Sequence, residues 1–492
     1  MTHWRRLVLA VLAIAVGCGV FAQATHAASD DEYYELMKIF VDTFEQIDRN
    51  YVTQVDRREL VEAAMRGMIV KLDPYSSYID NKEFKSFNEH VEQEFGGIGI
   101  HVDVDDQTRQ LFVTMPLPGT PAYKAGIRPN DRILEIDDKL TSDFPVGKEM
   151  ESAISLIKGK PGTTVKIKVG HIGSDVPETF DITRATIKSP TVLGDRYDSK
   201  GEPIYMIDDK EKIAYVRLTS FGRNSTEEMQ DVLAKLTKDG MRALILDLRF
   251  NPGGLLSAAT AISDYFISEG VIVSTKGRNT EEHVVRAKRG GTYSGFPMAI
   301  LVNRYSASAS EIVSACLQDH KRAIIVGERT WGKGSVQNVI ELEGGKSAIK
   351  LTTASYHRPS GKNIHRFPKA TEKDEWGVMP DEGYVVPMSG DEMKKLFETR
   401  HDREKIPESD STTLTALVDK QLDTGVEAVK KLLAEGKPIV EQPVQKAVTD
   451  EKKPEAKKAD GTSMTDPVLQ RSYVEAILEF WRLLPERRVT VL

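Results

Sequence analysis

Between residues 212 and 356 bare apolar runs alternate with amphipathic stretches, and this constrains the fold more than any other feature of the chain. Residues 212–218 (KIAYVRL), 242–249 (RALILDLR), 270–275, 297–303 (PMAILVN) and 322–327 read as strands. Residues 225–240, 255–267 and 308–320 between them carry helical spacing. A run such as Ala243–Leu246 has no polar side to offer water. Strands of this kind need cover on both sheet faces, so the alternation predicts an α/β layer with both faces of its sheet covered.

The 492 residues are enough for two or three domains. A hydrophobic share of 40% with 29% charged residues supports packed cores rather than disorder. The net charge of −7 and pI near 5.9 argue against nucleic acid as a partner. Two cysteines, Cys18 and Cys316, exclude a disulfide scaffold or a multi-cysteine metal site. No H-E-x-x-H spacing occurs, and no metal or cofactor is expected.

Composition then divides the chain. Arg5 and Arg6 precede an apolar run from Leu7 to Ala22, which predicts a signal peptide over 1–27 and an exported, periplasmic or envelope-associated protein. Cleavage after Ala24 or after Ala27, an uncleaved membrane anchor and lipidation of Cys18 remain open. Residues 28–91 form a helical region, with Tyr33, Leu36, Met37, Phe40, Phe44 and Ile47 at helical spacing. That face suits core packing or a second copy. Residues 92–184 change to short strands with glycine punctuation, a small binding module. Residues 185–400 hold the α/β layer, and 401–435 a further helical region. Lys, Glu, Pro and Ala dominate 436–466, a linker composition, before an amphipathic helix expected over 467–492.

The richest chemistry lies in 303–337. Ser306, Ser308 and Ser310 alternate at a helix entrance after a buried strand, where unpaired N–H groups favour developing negative charge. Ser308-Ala-Ser-Glu311 also fits a capping box, which needs no catalysis. Lys333 in Trp-Gly-Lys-Gly serves as a base if desolvation lowers its pKa, or is a solvated turn lysine. Gln337 is placed to orient its amine. Gly327 to Lys333 satisfies G-x-x-x-x-G-K, but Gly334 stands where magnesium needs Ser or Thr, and strands follow instead of a helix. Nucleotide binding is therefore rejected. Gly253 and Gly254 after Pro252 offer N–H groups to an oxyanion or form a plain strand-to-helix turn. Asp247 and Arg249 read as a buried structural pair. In the small module Gly96-Gly97-Ile98-Gly99-Ile100 suits a nest for a peptide carboxylate beside a strand edge.

Several segments stand in a telling order: LDPYSSYID (72–80), GGIGI (96–100), PGTPAYKAGIRPNDRILEID (118–137), LDLRFNPGG (246–254), SASASEI (306–312), VGERTWGKGSVQ (326–337), TTASYHRPSG (352–361) and GVMPD (377–381). Together they resemble the carboxyl-terminal processing, or tail-specific, proteases. The resemblance implies a ClpP/crotonase-like α/β protease domain with an inserted PDZ-like module and an N-terminal helical segment, while the tethered C-terminal helix read above matches no motif of that family. It implies a Ser-Lys serine endopeptidase with Ser308 as nucleophile, Lys333 as base and Gln337 assisting. The oxyanion hole maps to the amides of Gly253 and Ala309, with Ser306 and Ser310 or Glu311 as support. Gly97, Ile98, Gly99 and Ile100 then read the C-terminal tails of protein substrates. Dimers or higher homo-oligomers and an activating or adaptor protein are the further partners implied. The alternatives are a catalytically silent PDZ scaffold and a Ser-His-Asp hydrolase built on His320, His357 or His365.

Overall fold

The computed structural model describes residues 31–105, 107–279, 281–403, 418–436, 442–444 and 490–491. The expected signal peptide, Cys18 included, lies outside them, as do most of 436–466 and 467–492. The chain divides into two units at Val70.

In the first unit, α1 (31–50) and α2 (Arg57–Ile69) follow the apolar periodicity. Asp56 caps α2 by accepting from the amides of Arg58 and Glu59 (2.8 and 3.1 Å). Tyr33, Leu36, Met37, Phe40 and Ile47 remain exposed on α1.

The second unit opens with β1 (Ser77–Ile79) and α3 (Asn81–Glu92), whose N-terminus Asp80 and Glu83 close as a capping box. The small module follows. The stretch read as a glycine turn before a strand is itself paired: β2 (Glu94–Gly97) precedes β3 (Ile100–Val104), with Gly99 at φ +80° in the turn between. A Cβ on Gly99 would meet Thr120 at 2.4 Å, so glycine is required there on two counts. Then come β4 (Leu111–Pro116), α4 (Pro121–Ala125), β5 (Arg132–Ile136), β6 (Lys139–Leu140), α5 (Glu149–Ile157), β7 (Thr164–Gly170), β8 (Glu178–Thr183) and β9 (Ala185–Lys188). The partner of β2 is β9, an antiparallel strand that begins at Ala185, just past the expected end at 184. Ile98, Ile100, Val102, Val113, Ile133, Ala153 and Ile167 fill the module's core.

The connection contains four short strands, β10 (Val192–Leu193), β11 (Arg196–Tyr197), β12 (Pro203–Ile204) and β13 (Met206–Asp208). The α/β layer is built from β14 (Ile213–Leu218), α6 (Ser225–Lys238), β15 (Ala243–Asp247), α7 (Leu256–Asp264), β16 (Val271–Gly277), β17 (His283–Arg286), β18 (Met298–Val302), α8 (Ala309–Asp319) and β19 (Ile324–Gly327). Strands β14, β15, β18 and β19 pair in parallel in that order, with β10 and β13 on β14. All five residues of β15 and of β18 are buried, as their bare apolar sequences require. Helices α6, α7 and α8 cover one face. Helix α10 (Lys420–Glu435) covers the other through Leu422 and Val429. β20 (Ser335–Leu342) and β21 (Ser347–His357) complete a second sheet, antiparallel with β1, β16 and β17.

Three described pieces bear on the later segments. Helix α9 (Gly390–Arg403) runs across the boundary expected at 400, because Met393 and Leu396 pack under Phe250 and Tyr305. Within the expected linker, residues 442–444 are docked: Val271 N–H donates to Val444 O (2.9 Å) and Gln442 N–H to His320 O (2.9 Å). Of the expected helix 467–492, only 490–491 are described. They form β22 (Thr490–Val491), antiparallel to β3.

Candidate active site

Parallel strands leave their loops at one end of a sheet, and β15, β18 and β19 are adjacent. Three of the sequence segments therefore converge: the Pro-Gly-Gly turn after β15, the serine run after β18 and the Trp-Gly-Lys-Gly turn after β19.

The outer serines tie these loops together. Ser306 Oγ donates to Leu248 O (2.8 Å), and Ser310 Oγ to Asn251 O (2.9 Å). Trp331 N–H donates to Ser306 O (3.0 Å). Ser308 between them adopts φ +55°, ψ −112°, a conformation a β-carbon resists and which the flanking bonds impose. It stands at the N-cap of α8, 7% exposed.

The capping reading holds in part and for a different purpose. Ser308 N–H donates to Glu311 Oε2 (2.8 Å), while Glu311 N–H goes to the main-chain oxygen of Ser308 (2.9 Å). Lys333 N–H donates to the same Oε2 (2.8 Å). Thr330 Oγ1 and Gly332 N–H donate to Oε1, each at 2.6 Å. One wholly buried carboxylate thus gathers the main chain of both Ser308 and Lys333. Burial raises the Glu311 pKa to about 6, and its four donors oppose that rise. Local sequence shows Glu311 only as a cap; its reach to the β19 loop is a product of the fold.

Burial lowers the Lys333 amine to about 8; nearby Lys350 lowers it further, while Glu311 and Asp73 pull upward. The ammonium lies 5.5 Å from the Tyr75 ring centroid. Roughly a tenth of such a group is neutral at pH 7, against well under a thousandth of an ordinary lysine. Gln337 opens β20, where its Nε2 donates to Ser335 Oγ (2.8 Å) and Thr352 Oγ1 (3.3 Å), leaving its carbonyl oxygen as the acceptor end. Thr352 N–H donates to Ser76 Oγ (3.0 Å), and Ser76 Oγ donates to Asp73 Oδ2 (2.8 Å). Asp73, Tyr75, Ser76 and Lys350 were not singled out from the sequence. LDPYSSYID marked the first three as a motif without a role, and nothing local marks Lys350.

Gly253, at φ +102°, lies against the serine: a Cβ there would fall 2.8 Å from Ser308 Cβ and 2.9 Å from Ala309 N. Its own N–H donates to Asn251 Oδ1 (2.9 Å), a bond that must yield or be shared if the amide is to serve an oxyanion. Gly254 is stitched to a neighbouring strip. Phe221 N–H donates to Gly253 O (3.0 Å) and Leu255 N–H to Phe221 O (2.7 Å), and a Cβ on Gly254 would meet Phe221 O at 2.2 Å. The same strip reaches α3: Arg223 N–H donates to Val91 O (3.0 Å) and Asn224 N–H to Gln93 Oε1 (2.8 Å).

The remaining candidates lie elsewhere. Gly97, Ile98, Gly99 and Ile100 sit where β2 turns into β3, with Ile98 and Ile100 wholly buried in the module's core. Asp247 and Arg249 form the expected buried pair, extended by Asp419 and Arg400. Cys316 is fully buried in α8, and burial pushes its thiol pKa up. His320 Nε2 lies 2.8 Å from Val271 O, and His365 packs edge-on to Tyr75 and Phe367.

Residues 212–382 match the profile of peptidase family S41, 112–169 that of the PDZ domain, and 20–83 that of the activating protease CtpB N-terminal domain. A carboxy-terminal-processing protease of Bartonella bacilliformis is 35% identical over 403 residues, covering 78% of this chain and 86% of that protein. This chain belongs to peptidase family S41. The carboxy-terminal processing protease CtpA of Bacillus subtilis is 32% identical over 401 residues, 80% of each chain. The solved photosystem II D1 C-terminal processing protease is 26% identical, with a TM-score of 0.38 over 72% of this chain and 92% of that one. The S41 chain is thus a serine-type peptidase with a PDZ domain, acting on protein substrates.

Proposed function

We propose that this S41 peptidase is an exported endopeptidase that cleaves proteins at or near their C-termini through a Ser308–Lys333 dyad, with the PDZ domain holding the substrate tail. The observation that carries the reading is the convergence of the Ser308 and Lys333 main chains on Glu311 Oε2, beside a lysine amine lowered to about 8. Neutral Lys333 takes the Ser308 hydroxyl proton as Oγ attacks the scissile carbonyl. The resulting oxyanion is met by amides at the start of α8, Ala309 first, and by that of Gly253. Collapse passes the proton from Lys333 to the leaving amine. Water then attacks the acyl-enzyme with Lys333 again as base. Gln337 orients the amine through its acceptor oxygen. The tail lies along the β2–β3 turn, with its carboxylate at Gly97-Ile98-Gly99 and its backbone beside Ile100. The sequence of 1–27 supports export, and the exposed apolar face of α1 supports a homodimer or higher oligomer.

The test incubates purified residues 28–492 with an unfolded protein carrying an apolar C-terminus, beside Ser308→Ala. Cleavage by the parent alone supports the reading. Tail capture without cleavage by either favours a binding scaffold, and activity lost on replacing one histidine favours a Ser-His-Asp hydrolase.

A further inference from the structure

Lys333 is not the only amine withdrawn from water at this site. Lys350 lies in β21, opposite Ser77 of β1 on one side and Val339 of β20 on the other. Alternate residues of a strand leave the same face. Lys350 therefore projects from β21 on the side from which Thr352 Oγ1 meets Gln337 Nε2 and Ser76 Oγ, both at 3.3 Å. Burial lowers the pKa of both amines, and the charge on Lys350 acts on Lys333.

The acids nearby are already engaged. Glu311 accepts from the main chain of Ser308, Gly332 and Lys333 and from Thr330 Oγ1. Asp73 Oδ1 accepts from the amides of Tyr75 and Ser76 (2.7 and 2.8 Å), and its Oδ2 from Ser76 Oγ (2.8 Å). Among the described residues neither lysine amine is paired with a carboxylate. The Tyr75 ring faces Lys333, and His365 stands edge-on behind that ring at 6.2 Å between centroids. Burial holds His365 below its ordinary pKa, so it brings no charge at neutral pH. Two ammonium groups in one dry corner repel, and the less enclosed of the two keeps its proton. Lys350 is that one, and Asp73 favours its charge.

We propose that Lys350 is a positioning residue for the dyad: its ammonium, placed by β21 on the Gln337 side of the site, keeps Lys333 neutral for the attack, with Asp73 as the opposing charge. This rests on the reading of Lys333 as the base. Lys350 gains and loses no proton in the reaction; it sets the pH above which the neighbouring amine is free to take one. Neither local sequence nor the Ser308–Lys333 segments mark it, because β21 reaches the site through the second sheet.

The experiment follows kcat/KM of residues 28–492 on the unfolded protein substrate between about pH 6 and about pH 9.5, for the parent, Lys350→Met, Lys350→Arg and Asp73→Asn. The readout is the ratio of kcat/KM at the top of that range to its value near pH 7. Removing the like charge moves the climb to higher pH, so Lys350→Met is expected to raise the ratio about fivefold. Lys350→Arg keeps the charge and is expected to stay within about twofold of the parent ratio. Asp73→Asn removes the opposing charge and is expected to lower the ratio, a shift of opposite sign that loss of packing does not produce. A Lys350→Met profile that superimposes on the parent's, or that falls by one factor at every pH, overturns the role of Lys350 and leaves the dyad standing. A Lys350→Arg profile that follows Lys350→Met overturns the assignment to charge. A parent profile with no climb overturns the reading of Lys333 as base, and this inference with it.

Discussion

Glu311 shows how one side chain can set the geometry of two others. Its oxygens accept from Ser308, Lys333, Gly332 and Thr330, so the carboxylate needs both oxygens as acceptors. Glu311→Gln keeps the volume but turns one acceptor into a donor facing N–H or O–H groups. It is expected to cost about 2–3 kcal/mol of stability and to lower kcat by about a hundredfold or more while KM changes little, read by denaturant unfolding and steady-state kinetics. The pH profile belongs to Lys333. In the proposed dyad the amine acts in its neutral form, so kcat/KM should climb about tenfold per pH unit and level off above about 8. Lys333→Arg cannot shed its proton and should abolish turnover with cooperative unfolding retained. The folded pKa is lowered from 10.5, so burying the charged amine costs stability below about pH 8. That cost falls as pH rises from 8 towards 10.5, a stability gain that Lys333→Met should lack in thermal unfolding followed against pH.

Among the elements, the parallel strands were legible because β15 and β18 contain nothing but apolar residues up to Asp247. Ser308, Lys333, Gly253 and Ala309 were grouped through the family resemblance of their segments, while their local patterns alone read as a helix cap and turns. Asp73, Ser76 and Thr352 could not be placed together in advance. Asp73 holds Ser76 locally, but the Ser76–Thr352 bonds join positions 276 residues apart, and neither segment has a local pattern that announces the other. The short strands β10 to β13 and the docking of 442–444 were hidden for the same reason: two or three residues are too few to show a period. Helix α10 was visible as a helix but not as a cover for the sheet. It is fastened by Asp419, which caps it at Leu422 N and grips Arg249 from both oxygens (2.8 and 2.7 Å). Asp419→Ala leaves Arg249 short of a partner in a dry site and should cost about 3–5 kcal/mol, measured by denaturant unfolding.

At the scale of the molecule, a PDZ domain and a peptidase layer share one chain, and a few hydrogen bonds join the two. Gln93, at φ +58°, is the last residue before β2, and it grips the strip 221–224 whose other end is sewn to Gly253 and Leu255. The glycine beside Ser308 is therefore not mounted on the α/β layer alone. Through residues 221–224 it is tied to Gln93 at the doorway of the small module, so under the proposed function a pull on a held substrate end would be felt at Gly253.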